Sequence, residues 1–177
     1  MALPDHFLTD FAATAHVFGE AGASGVTATL TFEALASGSA RMSAEVDLGA
    51  TPPQRVQVEL RIETGTAPTA GGTYDLYAAW SIDGTNYPGG VSGSDGAWPS
   101  DGNEDEWAVQ LDYIGSLVVT NDGTTVQKQA PWVIDVRGRF LAVVVDNNTS
   151  QAVRDETTAT DNDSRVIVTP IDDQIED

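Results

Sequence analysis

Apolar and polar residues alternate most regularly over residues 54–64, which read QRVQVELRIET. Every second position of the central part is apolar: Val56, Val58, Leu60 and Ile62. The positions between them carry Gln57, Glu59, Arg61 and Glu63. A period of two places successive side chains on opposite faces of a β-strand. The segment therefore predicts a strand with one buried and one solvated face.

Seven further segments carry strand signals, and turn-forming residues separate them. The predicted strands are residues 26–35, 41–48, 73–82, 107–120, 130–136, 140–146 and 165–171. Gly115 lies inside the fourth of these segments and predicts a bulge or bend there. In residues 73–82, Leu76 and Trp80 fall on the same face and are predicted core residues. No segment predicts a long helix.

Eight strands without a long helix predict an all-β protein, specifically an antiparallel β-sandwich. A jelly roll, with eight strands in two sheets, is the more specific prediction, and an immunoglobulin-like sandwich is the alternative. Residues 1–23 are predicted to form an extended N-terminal arm, and residues 24–172 a single β-sandwich domain. Residues 173–177 are predicted to be a flexible acidic tail.

Charge and cysteine content exclude several classes of function. The chain has 27 acidic and 8 basic residues among 177, a formal net charge of −19. Such a chain repels nucleic acid and anionic membrane surfaces, so neither is an expected partner. It has no cysteine, which excludes disulfides, zinc–thiolate sites and thiol nucleophiles. The N-terminal sequence MALPDHFLTDF lacks the pattern of a signal peptide, and no apolar run is long enough to span a bilayer.

A short acidic run is the only candidate metal site. Asp101, Asn103 and Asp105 place oxygen ligands at alternate positions, as a calcium-binding loop begins. The sixth position should be glycine but is Glu106, and the residues that follow predict a strand. A solvated acidic loop is the alternative. No cofactor is expected, and His6 and His16 do not form a metal set or a catalytic triad.

Two groups of apolar or aromatic residues are candidate partner contacts. Tyr87 and Trp98 lie in the long loop after residues 73–82, where they could cap the sandwich edge, meet a partner or stack on a glycan. The apolar residues of the N-terminal arm could become ordered against a neighbouring protein. These arm residues are Leu3, Phe7, Leu8, Phe11 and Phe18.

Four stretches resemble small structural proteins of tailed bacteriophages. They read YDLYAAWSIDGTNYPGGVSGSDGAWP, YIGSLVVTNDGTTVQ, GRFLAVVVDNNTSQAV and RVIVTPIDD, and the resemblance covers about residues 55–173. In that group a strand of the form "hydrophobic-W-S-x-D-G" leads into a loop rich in proline and glycine.

The resemblance implies a capsid decoration (cement) protein without catalytic residues. It would be made in the bacterial cytoplasm, would bind the major capsid protein on the virion surface, and would associate as a trimer. A tail or head–tail component and a glycan-binding, host-receptor module are the alternatives. A small glycan hydrolase is a further alternative that no motif favours.

Overall fold

The computed structural model describes residues 7–10, 14–99, 104–123, 126–154 and 163–175. For residues 7–10, 104, 105 and 172–175 only the backbone is described. The strands are β1 Phe7–Asp10, β2 His16–Gly19, β3 Ala28–Thr29, β4 Ser39–Met42, β5 Val46–Asp47, β6 Arg55–Ile62, β7 Thr73–Ser81, β8 Gly96–Trp98, β9 Asp112–Val118, β10 Gln127–Lys128, β11 Trp132–Asp135, β12 Phe140–Asn148 and β13 Arg165–Ile175. Within these described segments there is one short helix, α1, which covers Glu104–Ala108.

The strands form two sheets. Sheet one has the order β10-β6-β13-β2-β3; β11 also pairs with β6, and β1 also pairs with β13. Sheet two has the order β8-β4-β12-β7-β9, and β5 also pairs with β12. The pairing of β2 with β3 is parallel, and the other pairings between the described strands are antiparallel. The predicted all-β class and the arrangement in two antiparallel-rich sheets are therefore confirmed.

The main core lies between the sheets and follows the alternation in the sequence. In β6 the burial pattern alternates along the whole strand, with Val56, Val58, Leu60 and Ile62 at most 1% exposed. Inward-facing residues of the neighbouring strands complete the core: Val166, Val168, Leu76, Leu141, Val143 and Val145. Trp80 packs against this core but remains partly exposed. The one-sided burial is confirmed for Arg55–Ile62, but Glu63, which was predicted to lie on the solvated face, is buried.

The N-terminal part differs from the predicted arm. Phe18 lies in β2, opposite Val166 of β13, and is completely buried in the main core. The burial of this large apolar side chain stabilises the isolated chain and does not require a partner protein. The backbone of β1 pairs with the end of β13, where Phe7 lies opposite Ile175. Residues 173–175 thus belong to a strand, whereas a flexible tail was predicted from residue 173.

Three predicted strands are shorter or interrupted. Only Ala28–Thr29 of residues 26–35 is a strand, and residues 41–48 contain parts of two strands, β4 and β5. The segment predicted as a strand from residue 107 begins inside α1, and β9 starts at Asp112. The predicted irregularity at Gly115 is confirmed, because the register with β7 shifts beside it. A Cβ atom at Gly115 would lie 2.4 Å from Nε1 of Trp132, so a side chain there would require the Trp132 ring to move.

Candidate functional site

The loop between β7 and β9 covers the outer face of sheet two. We call residues 82–111 the capping loop; residues 100–103 within it are outside the described part of the chain. Beneath it, outward-facing residues of sheet two are buried, among them Ala79, Ala142 and Val144. Val91 and Leu111 of the loop pack on them and form a second, smaller core. Sheet two is therefore buried on both faces over this region.

Trp98 is the largest buried side chain of the second core. It is 2% exposed, and its Nε1 donates a hydrogen bond of 2.6 Å to the carbonyl oxygen of Gly89. Its ring lies 6.3 Å from that of Tyr77, measured between centroids. This placement corrects the prediction that Trp98 contacts a partner, since the ring is already enclosed by its own chain.

Tyr87 holds the capping loop against the loop that precedes β5. Its hydroxyl donates a short hydrogen bond to the carboxylate of Glu45, and the ring is half-buried. Burial and the adjacent Glu45 carboxylate both raise the pKa of Tyr87, so the hydroxyl stays protonated. Glycine suits position 93, because its φ is +72° and a Cβ atom there would lie 2.9 Å from the Tyr87 ring. A glycan-stacking platform made of Tyr87 and Trp98 would need both rings in solvent, and Trp98 does not meet this requirement.

A second tether joins the capping loop to sheet two through Asp95. Its carboxylate accepts hydrogen bonds of 2.8 and 2.7 Å from Nε and Nη2 of Arg41. It also accepts bonds from the backbone nitrogen and hydroxyl of Thr31, at 3.0 and 2.7 Å. Burial alone would raise the pKa of Asp95, but these hydrogen bonds outweigh it and hold the pKa below its usual value. All of these interactions favour the ionised carboxylate.

Replacing Asp95 by asparagine should lower the free energy of unfolding by about 1–3 kcal/mol, because Arg41 loses a charged, bidentate acceptor. The depressed pKa gives the sign of the pH effect. The stabilisation is complete above the unfolded-state pKa of about 4 and is lost as the pH falls towards the folded-state value. Urea unfolding at pH 7 and below pH 4 measures both effects. The difference between wild type and Asp95→Asn should shrink in acid; a constant difference would contradict this role. Asp47→Asn, which breaks the exposed pair with Arg139, is the control and should have the smaller effect.

A cleft of about 320 Å³ opens where the edge strand β9 of sheet two faces β11 of sheet one. Tyr113 and Val133 line it and are 58% and 54% exposed. Arg137 at its rim is bound to Asp112, with 2.8 Å between Nη1 and Oδ1. The other carboxylate oxygen of Asp112 accepts a 3.0 Å hydrogen bond from Nε1 of Trp80. The cleft thus has a mainly polar lining that includes two exposed hydrophobic side chains and a closed ion pair at the rim, and polar surface with a few hydrophobic side chains is compatible with a protein contact.

The calcium and arm candidates fall largely outside the described residues. Asp101, Asn103, Leu3 and Phe11 are not described, and Asp105 is described only as backbone in α1. Among the residues that are described, no group of three or more His, Asp or Glu side chains could hold a metal ion. Phe7 and Leu8 lie in β1, opposite Ile175 and Gln174. His6 is outside the described part, and burial lowers the pKa of His16, with the Asp47 carboxylate opposing the shift.

The sequence did not show that the residues of the second core lie together, or that those of the cleft do. One signal for the second core was available: β12 contains the continuous apolar run FLAVVV. A run without alternation is typical of a strand buried on both faces. The cleft residues Tyr113 and Val133 had no such signal, because the sequence does not show which strands lie at sheet edges.

The chain matches no protein-family model, and a comparison with curated proteins finds no match either. Within the described residues, no helix has the length and apolar character needed to cross a membrane.

Proposed function

We propose that this chain is a non-enzymatic structural protein of a tailed-phage virion, a decoration protein that binds the major capsid protein on the shell surface. The resemblance of four sequence stretches to tailed-phage structural proteins is the observation that carries the proposal. The order of the strands is compatible with it but does not decide function by itself. A trimer on the shell and synthesis in the bacterial cytoplasm are parts of the same proposal.

The strand order supports a jelly roll as the specific fold. The eight principal strands in chain order are β2, β4, β6, β7, β9, β11, β12 and β13. Numbered one to eight, they lie in sheet one as 1-8-3-6 and in sheet two as 2-7-4-5. This is the arrangement expected when a long antiparallel hairpin is rolled into two facing four-stranded sheets. Jelly rolls occur in viral capsid proteins, but also in lectins and cupins, so fold alone does not decide function.

The cleft between β9 and β11 supports the contact with the shell. Tyr113 and Val133 expose apolar surface that a neighbouring protein can bury. The ion pair of Arg137 with Asp112 borders this surface, as polar rims border protein interfaces. The same geometry would serve a tail or head–tail component, which remains the alternative. The glycan-binding alternative is weakened, because Trp98 is buried.

The test uses purified shells that lack the protein, together with wild-type chain and two matched variants. Wild-type protein should co-sediment with the shells at a fixed ratio to the major shell protein and should raise their resistance to heat. Val133→Asp should weaken binding about tenfold or more, because it places an unpaired charge in the contact. Ile82→Asp is the control: Ile82 is 84% exposed, does not line the cleft and should tolerate the change.

Quantitative mass spectrometry of purified particles measures the copy number of this chain relative to the major shell protein, and this ratio distinguishes the remaining alternatives. A ratio near one, or a simple fraction of it, supports decoration of the shell. A few copies per particle would place the protein in the tail or connector, and its absence from particles would refute the virion proposal. Equal loss of binding in both variants would show that the cleft is not the contact.

A further inference from the structure

Three of the eight basic residues lie side by side on the outer face of sheet one. Arg61 of β6 is directly opposite Lys128 of β10 on one side and Arg165 of β13 on the other. Their chain neighbours Leu60, Ile62 and Val166 point into the core, so the three cations share the outward face. We call Lys128, Arg61 and Arg165 the basic row. It occurs on a chain whose net charge is −19.

The row is not neutralised by the described acidic residues. Glu59 binds Arg61, with 2.6 Å between Oε1 and Nε, and Glu63 binds Arg154. Within the part of the chain that is described, Lys128 and Arg165 have no ion pair. Nε of Arg165 is buried and has no hydrogen-bond acceptor there. Among the residues that the structure describes, the ion pairs of the row thus place one carboxylate against three cations.

This arrangement costs stability in the isolated chain. Directly opposite side chains in a sheet have Cβ atoms about 5 Å apart, and like charges at such positions repel. A buried donor without an acceptor adds a further cost. An oxyanion placed on the row would offset the repulsion between the cations, and guanidinium groups bind carboxylates through paired hydrogen bonds.

The shape of the row favours an extended ligand over a small ion. Two inter-strand spacings give it a length of about 10 Å on an open sheet face, whereas small-ligand sites are concave. Alternate side chains of an extended peptide are about 7 Å apart, so two carboxylates of one peptide can reach the row together. We propose that the basic row binds an acidic, extended segment of a partner protein. This proposal does not depend on the phage assignment.

The probe is a fluorescein-labelled peptide of alternating Glu and Ser, and its binding is measured by fluorescence anisotropy. The ionic strength is about 0.1 M, because the Debye length is then about 10 Å and the distant acidic residues of the chain are screened. The full-length chain should bind this peptide and should not bind the corresponding Gln-Ser peptide. Arg165→Gln and Lys128→Gln should each weaken binding about tenfold or more. Arg55→Gln is the matched control, because it removes one positive charge from the same face of β6, about 20 Å from Arg61. The Arg55→Gln variant should bind the peptide as tightly as the wild type.

The following outcomes would each overturn the proposal. Equal binding of the two peptides, or an equal effect of Arg55→Gln, would show that the row is not a specific site. Displacement of the peptide by millimolar sulfate but not by chloride at matched ionic strength would assign the site to a free oxyanion. Self-association of the wild type that Arg165→Gln abolishes would assign it to a second copy of this chain. Circular dichroism of each variant confirms that the fold is retained.

Discussion

Replacing Phe18 by alanine is expected to lower the free energy of unfolding by about 3–5 kcal/mol, the usual effect of removing a buried aromatic ring. Phe18 has no exposed surface and packs in the core between the two sheets. Its strand β2 is held by β13, where Val166 lies opposite Phe18. The ring therefore joins the N-terminal segment to the centre of the fold. Urea unfolding followed by far-UV circular dichroism measures the change.

Two variants separate this role from that of a partner-binding arm. Phe18→Leu keeps most of the apolar volume and should lose clearly less stability than Phe18→Ala. If residues 16–19 belonged to a free arm, Phe18→Ala would change stability by less than about 0.5 kcal/mol and would affect only partner binding. Deletion of residues 1–23 cannot test an arm, because it removes β2. A deletion that ends at residue 13 keeps β2 and is the appropriate truncation.

The sequence predicts strands well where burial is one-sided. In β6 each residue meets either the core or the outer face, so the local alternation of residue types reports the fold directly. The helix α1 has only five residues, too few to show a helical period, and its position next to β9 made the segment read as strand. The short strand β5 pairs with β12, which is far away in the sequence. Local patterns cannot show such a pairing.

Two of the predicted contact residues, Phe18 and Trp98, are buried, and the sequence did not show this for a related reason. Trp98 follows a glycine-rich stretch, which is typical of an exposed loop, and its burial depends on the small side chains Ala79 and Ala142 beneath it. These alanines lie on two different strands, so the surface that receives Trp98 exists only after sheet two has formed. Phe18 was assigned to the N-terminal arm, and its partner Val166 is near the other end of the chain, where the local sequence cannot identify it. The residue types of Trp98 and Phe18 marked both as candidates, but the sequence did not show that their side chains are buried.

Replacing Trp98 by alanine is expected to lower the free energy of unfolding by about 3–5 kcal/mol, similar to the effect at Phe18. The substitution removes the indole ring that fills the second core between the capping loop and sheet two. It also leaves the carbonyl oxygen of Gly89 without the indole N–H that it accepts. Tyr77, whose ring lies 6.3 Å away, loses an aromatic neighbour. Urea unfolding measures the loss of stability, and hydrogen exchange of the loop amides shows whether the loop opens locally.

Trp98→Phe divides the effect between packing and hydrogen bonding. Phenylalanine keeps an aromatic ring in the second core but cannot donate to Gly89, so about 1–3 kcal/mol should be lost for the unsatisfied carbonyl. Exchange protection should be lost in the capping loop before it is lost in β6 and β13, because those strands belong to the main core and not to the second one. A surface-exposed, glycan-stacking Trp98 predicts the opposite result: stability would change by less than about 0.5 kcal/mol, and only sugar binding would disappear. The two results therefore distinguish a loop that is part of the folded core from a loop that presents its tryptophan to a ligand.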